Sequence, residues 1–309
     1  MVQTWPMIHR IAAAEAMRVH RDLDIDTSHP IDPFLALGRS GVLVMRQPLD
    51  RLAGAYLPAD TTDGGHPGVL INVAHPLSRQ RYTAAHELWH HRRDQDLIFD
   101  ADTEWLARGE DQASERERLA EAFASWFLMP KRLVEAILHK LGRSPSSLDE
   151  RSAYALSLEL GTSYSATIRQ LYGLKFISAP MRDRLLKATP QSIKRALGGA
   201  DAVIDAWKDV HLVGYRDPSP AVSGLVGDVV VVEMPEIPSS GFMWHVAHIP
   251  ESVVLFGDEY RPDSPQVFGG SGMHRFVFLV PDPGRYPIRL ELGRPWQKGQ
   301  TVEAREVHV

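Results

Sequence analysis

The chain contains no cysteine among its 309 residues. That excludes disulfides and thiolate-ligated zinc, so any bound metal has to be held by His, Asp or Glu. Long apolar runs are missing too, and no stretch is long enough to span a bilayer. The opening segment MVQTWPMIHRIAAAEAMRVHRDLD carries His, Arg and Glu through its apolar positions and lacks the continuous apolar core of a secretory signal. A cytoplasmic protein with no membrane partner is the expectation. There is no excess of positive charge: 34 Lys and Arg face 39 Asp and Glu, a formal charge of -5. Nucleic acid is therefore not an expected partner of the chain as a whole. The remaining composition, 44% hydrophobic and 24% charged, is that of a folded protein with room for two or three domains.

From Trp5 to about Arg21 the positions Ile8, Ile11, Ala12, Ala16 and Val19 trace a helical stripe, which predicts a packing helix closed by the polar DLDIDTSHPIDP. Three β-rich segments follow, GVLVMRQP at 41–48, AGAYLPA at 53–59 and PGVLINVAH at 67–75, and suggest a small sheet just before a histidine-rich helix. A further helix is predicted from about Ala113 to Met129, stopped by Pro130. Within residues 131–200, ALSLELGTSYSATIRQLYGLKFI has the helix, glycine turn, Ser/Thr start and second helix of a helix-turn-helix. Arg169 and Lys175 are the main positive charges there, so a structural helical pair is expected rather than a DNA reader. After ALGGADA the texture changes to β-branched runs, from DVVVVEM to VEAREVHV, several of them alternating apolar and polar residues. This pattern predicts an antiparallel β-sandwich with one wet face per sheet, beginning between about Gly198 and Gly224. The expected fold class is α+β multidomain: residues 1–130, a helical helix-turn-helix-like region at 131–202, then linker and sandwich at 203–309.

The histidine-rich stretch is RYTAAHELWHHRRD, residues 81–94. On a helix His86 and His90 lie on nearly one face and can aim imidazole nitrogens at one point. Glu87, rotated by about 100°, can reach a water there without being a ligand. That is the chemistry of HExxH: two neutral nitrogens fix a metal and a carboxylate takes a proton from the attacking water. A catalytic site of this kind also needs a third protein ligand and an open position. ERERLAEAFASWFLMP, residues 115–130, offers candidates. On a helical wheel Glu117 and Glu121 share a flank with Ala120, Ala124 and Leu128. Small alanines allow another helix to approach, so Glu117 can meet the two histidines; in the alternative, the two glutamates lie on a solvated face beside Arg116 and Arg118.

HELWH after a short sheet, followed by ERLAEAFASWFLMP, resembles the ImmA/IrrE family of zinc metallopeptidases over most of residues 1–175. The resemblance implies a zincin-like domain in which His86, His90 and Glu117 hold one Zn2+ per chain and Glu87 is the general base of peptide hydrolysis. Glu121 stands where the family has Asn or Asp. It is expected behind the ligands, orienting a histidine, with replacement of Glu117 as ligand its alternative. The resemblance also implies a protein substrate that is a regulator, such as a transcriptional repressor in stress or mobile-element control. GVLINVAH is open to two readings, a sheet edge that pairs with an extended peptide or an ordinary buried strand.

Three turns stand out in the last third: IPSSGFMW at 237–244, GGSGMHRF at 269–276 and GRPWQKG at 293–299. Trp244 is expected to pack inward and Trp296 to be an exposed anchor. Residues 218–309 are similar to the chagasin-like family of cysteine-peptidase inhibitors, through Pro238-Ser239-Ser240-Gly241-Phe242, the glycine-rich loop with Gly270 and Gly272, and Arg294-Pro295-Trp296. The similarity implies an immunoglobulin-like sandwich whose loops bind a protein, with a peptidase as one partner class. Ile237 stands in place of the family's Asn and two serines in place of its threonines. Two functions are thus expected from different classes: a zinc endopeptidase with a β-domain recognition or regulatory module, or a binding or inhibitory protein with the N-terminal part as scaffold.

Overall fold

A computed structural model describes residues 4–59, 65–93, 98–101, 115–198, 208–215, 221–264, 266, 269–297 and 299–309, of which 98–101 are described by backbone alone. The chain divides into two units, Met1–Lys187 and Ala188–Val309.

In the first unit β1 (Leu43–Gln47), β2 (Leu52–Leu57), β3 (Gly68–Asn72) and β4 (Ile98–Ala101) form one sheet in the order β1-β3-β2-β4. β1 is parallel to β3, and β2 is antiparallel to β3 and β4. GVLINVAH is thus an interior strand and not an edge, with Val69 and Ile71 fully buried. The four-residue β4, absent from the expected strands, is one of the two edges among the described residues. Asn72, 1% exposed, closes the end of β3: its Nδ2 donates to Leu49 O and Leu52 O, and its Oδ1 accepts from the Leu49 and Ala74 amides. One buried amide thereby fixes where the chain leaves the sheet to begin the next helix.

That helix is α3 (Leu77–Arg93), which packs on β2, β3 and α2 (Pro33–Arg39). α1 (Trp5–Asp22) and α4 (Glu115–Leu128) complete the layer; the expected start of α4 at Ala113 lies outside the described residues. Ala120 and Ala124 are fully buried, so α4 comes close to its neighbours along a face of small residues. Phe123, Phe127 and Leu88 are fully buried as well. Each such side chain contributes about 1.5–3 kcal/mol through burial. Pro130 ends α4 and is the N-cap of α5 (Lys131–Lys140).

The helix-turn-helix pattern is α6 (Glu150–Leu160) and α7 (Tyr164–Gly173). Asp149 and Ser152 form a capping box, Gly161 ends α6 at φ 64°, and the Ser163 side chain caps α7. Arg81 of α3 bonds Gly161 O at 3.0 Å, tying this turn to the site helix. α7 buries Tyr164, Thr167, Ile168, Gln170 and Leu171 and exposes Arg169 and Tyr172.

In the second unit β5 (Val210–Gly214), β6 (Val229–Glu236), β9 (Gly272–Leu279) and β8 (Val254–Pro262) form one sheet in the order β5-β6-β9-β8. β11 (Thr301–His308), β10 (Pro287–Gly293) and β7 (Met243–His248) form the other, in the order β11-β10-β7. Val230, Val232, Phe276 and Phe278 from one sheet share a core with Trp244, Ile288, Leu290 and Val307 from the other. β5, absent from the expected strands, pairs parallel to β6 in a sheet expected to be antiparallel. The helix α9 (Pro190–Gly198), which the sequence groups with the helical region, packs on β5 and β6. Among the described residues no helix is long and apolar enough to cross a membrane.

Candidate metal centre

The last turn of α3 meets the first turn of α4. His86 and His90 project from one face of α3, and their Nε2 atoms lie 3.0 Å apart. Glu117, in the first turn of α4, places Oε2 3.2 Å from His86 Nε2 and Oε1 3.7 Å from His90 Nε2. Among the described residues these three form the one group of His, Asp or Glu placed to share a metal ion, with one ligand atom from each lying within 4.8 Å of the others. The histidines are 5% and 0% exposed, whereas the Glu117 side chain is 34% exposed, so the trio is walled on one side and accessible on the other.

The start of α4 favours this arrangement: Glu117 lies in its first turn, where the helix end favours a carboxylate. Burial opposes ionisation of Glu117, but hydrogen bonds and charge from His86 and His90 outweigh it and hold its carboxyl well below the usual carboxylate range. Two imidazole nitrogens and one carboxylate oxygen form a donor set that suits a divalent transition metal. The residues fit such an ion.

Glu87 is fully buried beside the trio. It faces Gly54 of β2, where an added Cβ would stand 3.4 Å from Glu87 Oε1, 2.9 Å from Leu70 O, and in collision with Thr83 Cγ2. Gly54 thus lies against the candidate site, a neighbour that motif reading missed. An isolated glycine inside a strand is the available signal, since it marks a close approach of backbone.

Tyr82, one turn before His86, donates its hydroxyl to Glu121 O at 2.9 Å and so ties α3 to α4. Glu121 itself stands one turn beyond Glu117 and outside the trio. Trp89 and Phe123 pack between the same two helices, with ring centroids 5.5 Å apart. His91 faces Tyr56 Oη at 3.1 Å, and Arg92 pairs with Asp22 at 2.7 Å. Desolvation, joined by the charge of Arg92, lowers the pKa of His91 despite its bond to the Ser40 backbone.

The loops singled out in the second unit touch one another. Ser239 N donates to Gly269 O at 3.3 Å, and the Arg294 guanidinium lies 4.6 Å from the centroid of the Phe242 ring. Gly241, at φ 79°, presses against Trp296: an added Cβ would stand 3.0 Å from its Cη2. Ser240 Oγ bonds Ile237 O, closing a 3₁₀ turn over Pro238–Ser240. Gly270 O accepts from Tyr260 Oη at 2.7 Å, and Gly272 packs on Tyr260 and the Arg261 carbonyl. Pro295 lies between Arg294 and Trp296, in a turn closed by Gln297 N on Arg294 O. Trp244 is 2% exposed and Trp296 67%.

Residues 37–172 match the IrrE N-terminal-like domain, and residues 225–309 match the chagasin family peptidase inhibitor I42. The chain joins an IrrE-like segment to a chagasin-like one. The first is similar to the radiation response metalloprotease IrrE of Deinococcus deserti, 31% identical over 115 residues, which are 37% of this chain and 38% of the relative. The second is similar to chagasin of Trypanosoma cruzi, 29% identical over 91 residues, which are 28% of this chain and 83% of the relative. The chain thus spans well under half the length of the Deinococcus relative it matches and most of the trypanosomal one. Among solved structures, a cysteine protease inhibitor from Entamoeba histolytica is similar at 19% identity and a TM-score of 0.30, covering 33% of this chain and 95% of its own. Amebosin is similar at 20% identity and a TM-score of 0.27, covering 32% of this chain and 92% of its own. The IrrE-like match suggests a metallopeptidase and with it a metal ion, and the chagasin-like match suggests a protein-interaction module.

Proposed function

We propose that this protein is a zinc-dependent endopeptidase of the HExxH, gluzincin type, with a zincin-like first unit. The observation that carries the reading is the convergence of His86, His90 and Glu117 from two helices. His86 and His90 contribute neutral nitrogens and Glu117 the third ligand. Zinc bound there supplies Lewis-acid polarisation of a carbonyl oxygen and lowers the pKa of a water toward about 7.

Glu87, one position along α3 from His86, accepts the proton of the attacking water and returns it to the leaving amine. Gly54 leaves the space in which the Glu87 carboxylate sits. Glu121, through its carbonyl bond to Tyr82, holds α4 against α3, and its side chain is assigned to support of the ligands. β4, the edge strand beside β2, offers backbone groups to an extended peptide substrate.

The substrate class is a regulatory protein such as a transcriptional repressor, cleaved in the cytoplasm during a stress response. The second unit, read as an immunoglobulin-like sandwich, serves as recognition or regulatory module through Ser239, Ser240, Gly241, Phe242, Gly270, Gly272, Arg294, Pro295 and Trp296. The similarity to chagasin over 83% of that relative favours a second reading, in which these loops bind or inhibit a cysteine peptidase and the first unit is a scaffold.

A comparison of cellular protein fragments between wild type and Glu87→Gln decides between the two. Fragments that depend on Glu87 support the endopeptidase. Their absence, together with chelator-resistant binding of papain, supports the inhibitor reading.

A further inference from the structure

Helix α1 lies ahead of the segment that matches the peptidase family, and its side chains grip both helices that carry the trio. Glu15, in the middle of α1, is only 5% exposed. Its Oε2 accepts from Arg18 at 2.8 Å and from Arg93 at 2.6 Å, and its Oε1 lies 3.6 Å from Arg92 Nε. Arg92 also reaches Asp22, the last residue of α1, at 2.7 Å. Arg92 and Arg93 follow His90 by two and three positions. At 3.6 residues per turn, these bonds are made within one turn of a ligand histidine.

On its other side α1 holds α4. His20 Nε2 is 2.9 Å from Phe127 O, and its ring stacks on that of Phe127 at 4.9 Å. Trp126 Nε1 donates to His9 Nδ1 at 3.1 Å, and the guanidinium of Arg118, next in sequence to Glu117, lies 4.6 Å from the centroid of the Trp5 ring.

Charge is not all that docks α1. Ile8, Ala12, Ala16 and Val19 are all buried along it and supply an apolar seam. A carboxylate taken out of water is costly, and its partners must be well placed to offset that cost. What Glu15 adds to apolar docking is direction: charge-assisted bonds are short and angular, whereas apolar contacts slide. The group they orient is the last turn of α3.

We propose that α1 is a splint for the metal centre, and that Glu15 is the positioning residue that fixes the last turn of α3 so that His90 stays in register with Glu117. The proposal rests on the reading of His86, His90 and Glu117 as metal ligands.

The test uses the full chain with Glu15→Gln, Glu15→Asp and, as a control for lost stability alone, Leu185→Ala at a fully buried position of α8 (Ala179–Leu185). Zn2+ affinity is measured by competition with a chromophoric chelator, ligand geometry by the visible spectrum of the Co2+ form, and local order by amide hydrogen exchange over residues 89–93. Glu15→Gln is expected to weaken Zn2+ binding by about tenfold or more, shift the Co2+ bands and speed exchange in that turn. Glu15→Asp is expected to recover part of each, and Leu185→Ala to lower the melting temperature and leave all three unchanged. Arg93→Gln, at a side chain 44% exposed, makes the same test from the other partner if Glu15→Gln does not fold.

Wild-type affinity, spectrum and exchange in the Glu15 or Arg93 variant would overturn the splint, as would a control that reproduces their changes. A wild-type chain that takes up no metal would sink the ligand reading instead. The exchange comparison then decides the splint by itself, faster exchange supporting it and unchanged exchange overturning it.

Discussion

Gly54 and Glu87 lie back to back: a Cβ at position 54 would stand 3.4 Å from Glu87 Oε1 and collide with Thr83. The strand can lie this close to α3 only because position 54 has no side chain. Gly54→Val is expected to destabilise the first unit by about 1–3 kcal/mol through overpacking and to displace Glu87. Gly38 is the contrast, a helical glycine with nothing within 4 Å of an added Cβ. Gly38→Ala is expected to stabilise by about 0.5–1 kcal/mol. Urea unfolding of both variants checks the pair, and equal effects would contradict it.

Glu87→Gln separates proton transfer from metal retention. Its side chain keeps nearly the same volume in a fully buried setting, so the trio should still take up metal at wild-type stoichiometry. Cleavage should fall by about 10²–10⁴-fold, the usual contribution of a positioned acid or base. Elemental analysis with a peptide-release assay reads both. Full activity would remove Glu87 from the mechanism.

Acid should weaken the first unit through His20, which is buried, and His9, which is half-buried. Desolvation lowers the pKa of His20 below 6.5 despite its bond to Phe127 O, and desolvation also lowers that of His9. Between those folded values and 6.5 the unfolded chain binds protons that the folded chain refuses. Their contribution is therefore fully present above 6.5 and is lost as pH falls toward the folded values. Urea midpoints at descending pH should decline from about 6.5 and decline less in His20→Gln. A midpoint independent of pH in this range would contradict the account.

The two tryptophans of the loop end should behave as opposites. Trp244 is 2% exposed and its Nε1 bonds Pro235 O at 2.9 Å. Trp244→Ala is expected to cost about 3–5 kcal/mol. Trp296, at 67% exposure, should change stability by no more than about 0.5 kcal/mol when replaced by alanine, while weakening partner capture. Thermal melts and papain binding by the full chain check this, and a stability loss at Trp296 equal to that at Trp244 would contradict it.

Much of this was legible in the sequence because periodicity is local. The stripe of α1, the strands β1 to β3, the HELWH helix and the alternating strands of the second unit all announce themselves within a few residues. The i, i+4 pair His86 and His90 is local too. Glu117 needed more, because its meeting with them depends on how two helices pack; small Ala120 and Ala124 were the available hint. β4 and β5 were missed since four or five residues carry little pattern, and the interior place of β3 was undecidable because strand order is a property of the whole sheet. Glu15 gave no signal: on a helical wheel it is one more acid near arginines, and only the tertiary structure shows it buried beneath the end of α3.

The central claim is that two imidazoles and one carboxylate hold a single divalent ion. The most direct measurement is the metal content of the purified full chain after equilibration with Zn2+ and desalting, beside His86→Ala, His90→Ala and Glu117→Ala. One zinc per chain is expected in wild type, and loss of retained metal in each variant. A wild type without bound metal, or three variants that retain it equally, would contradict the claim.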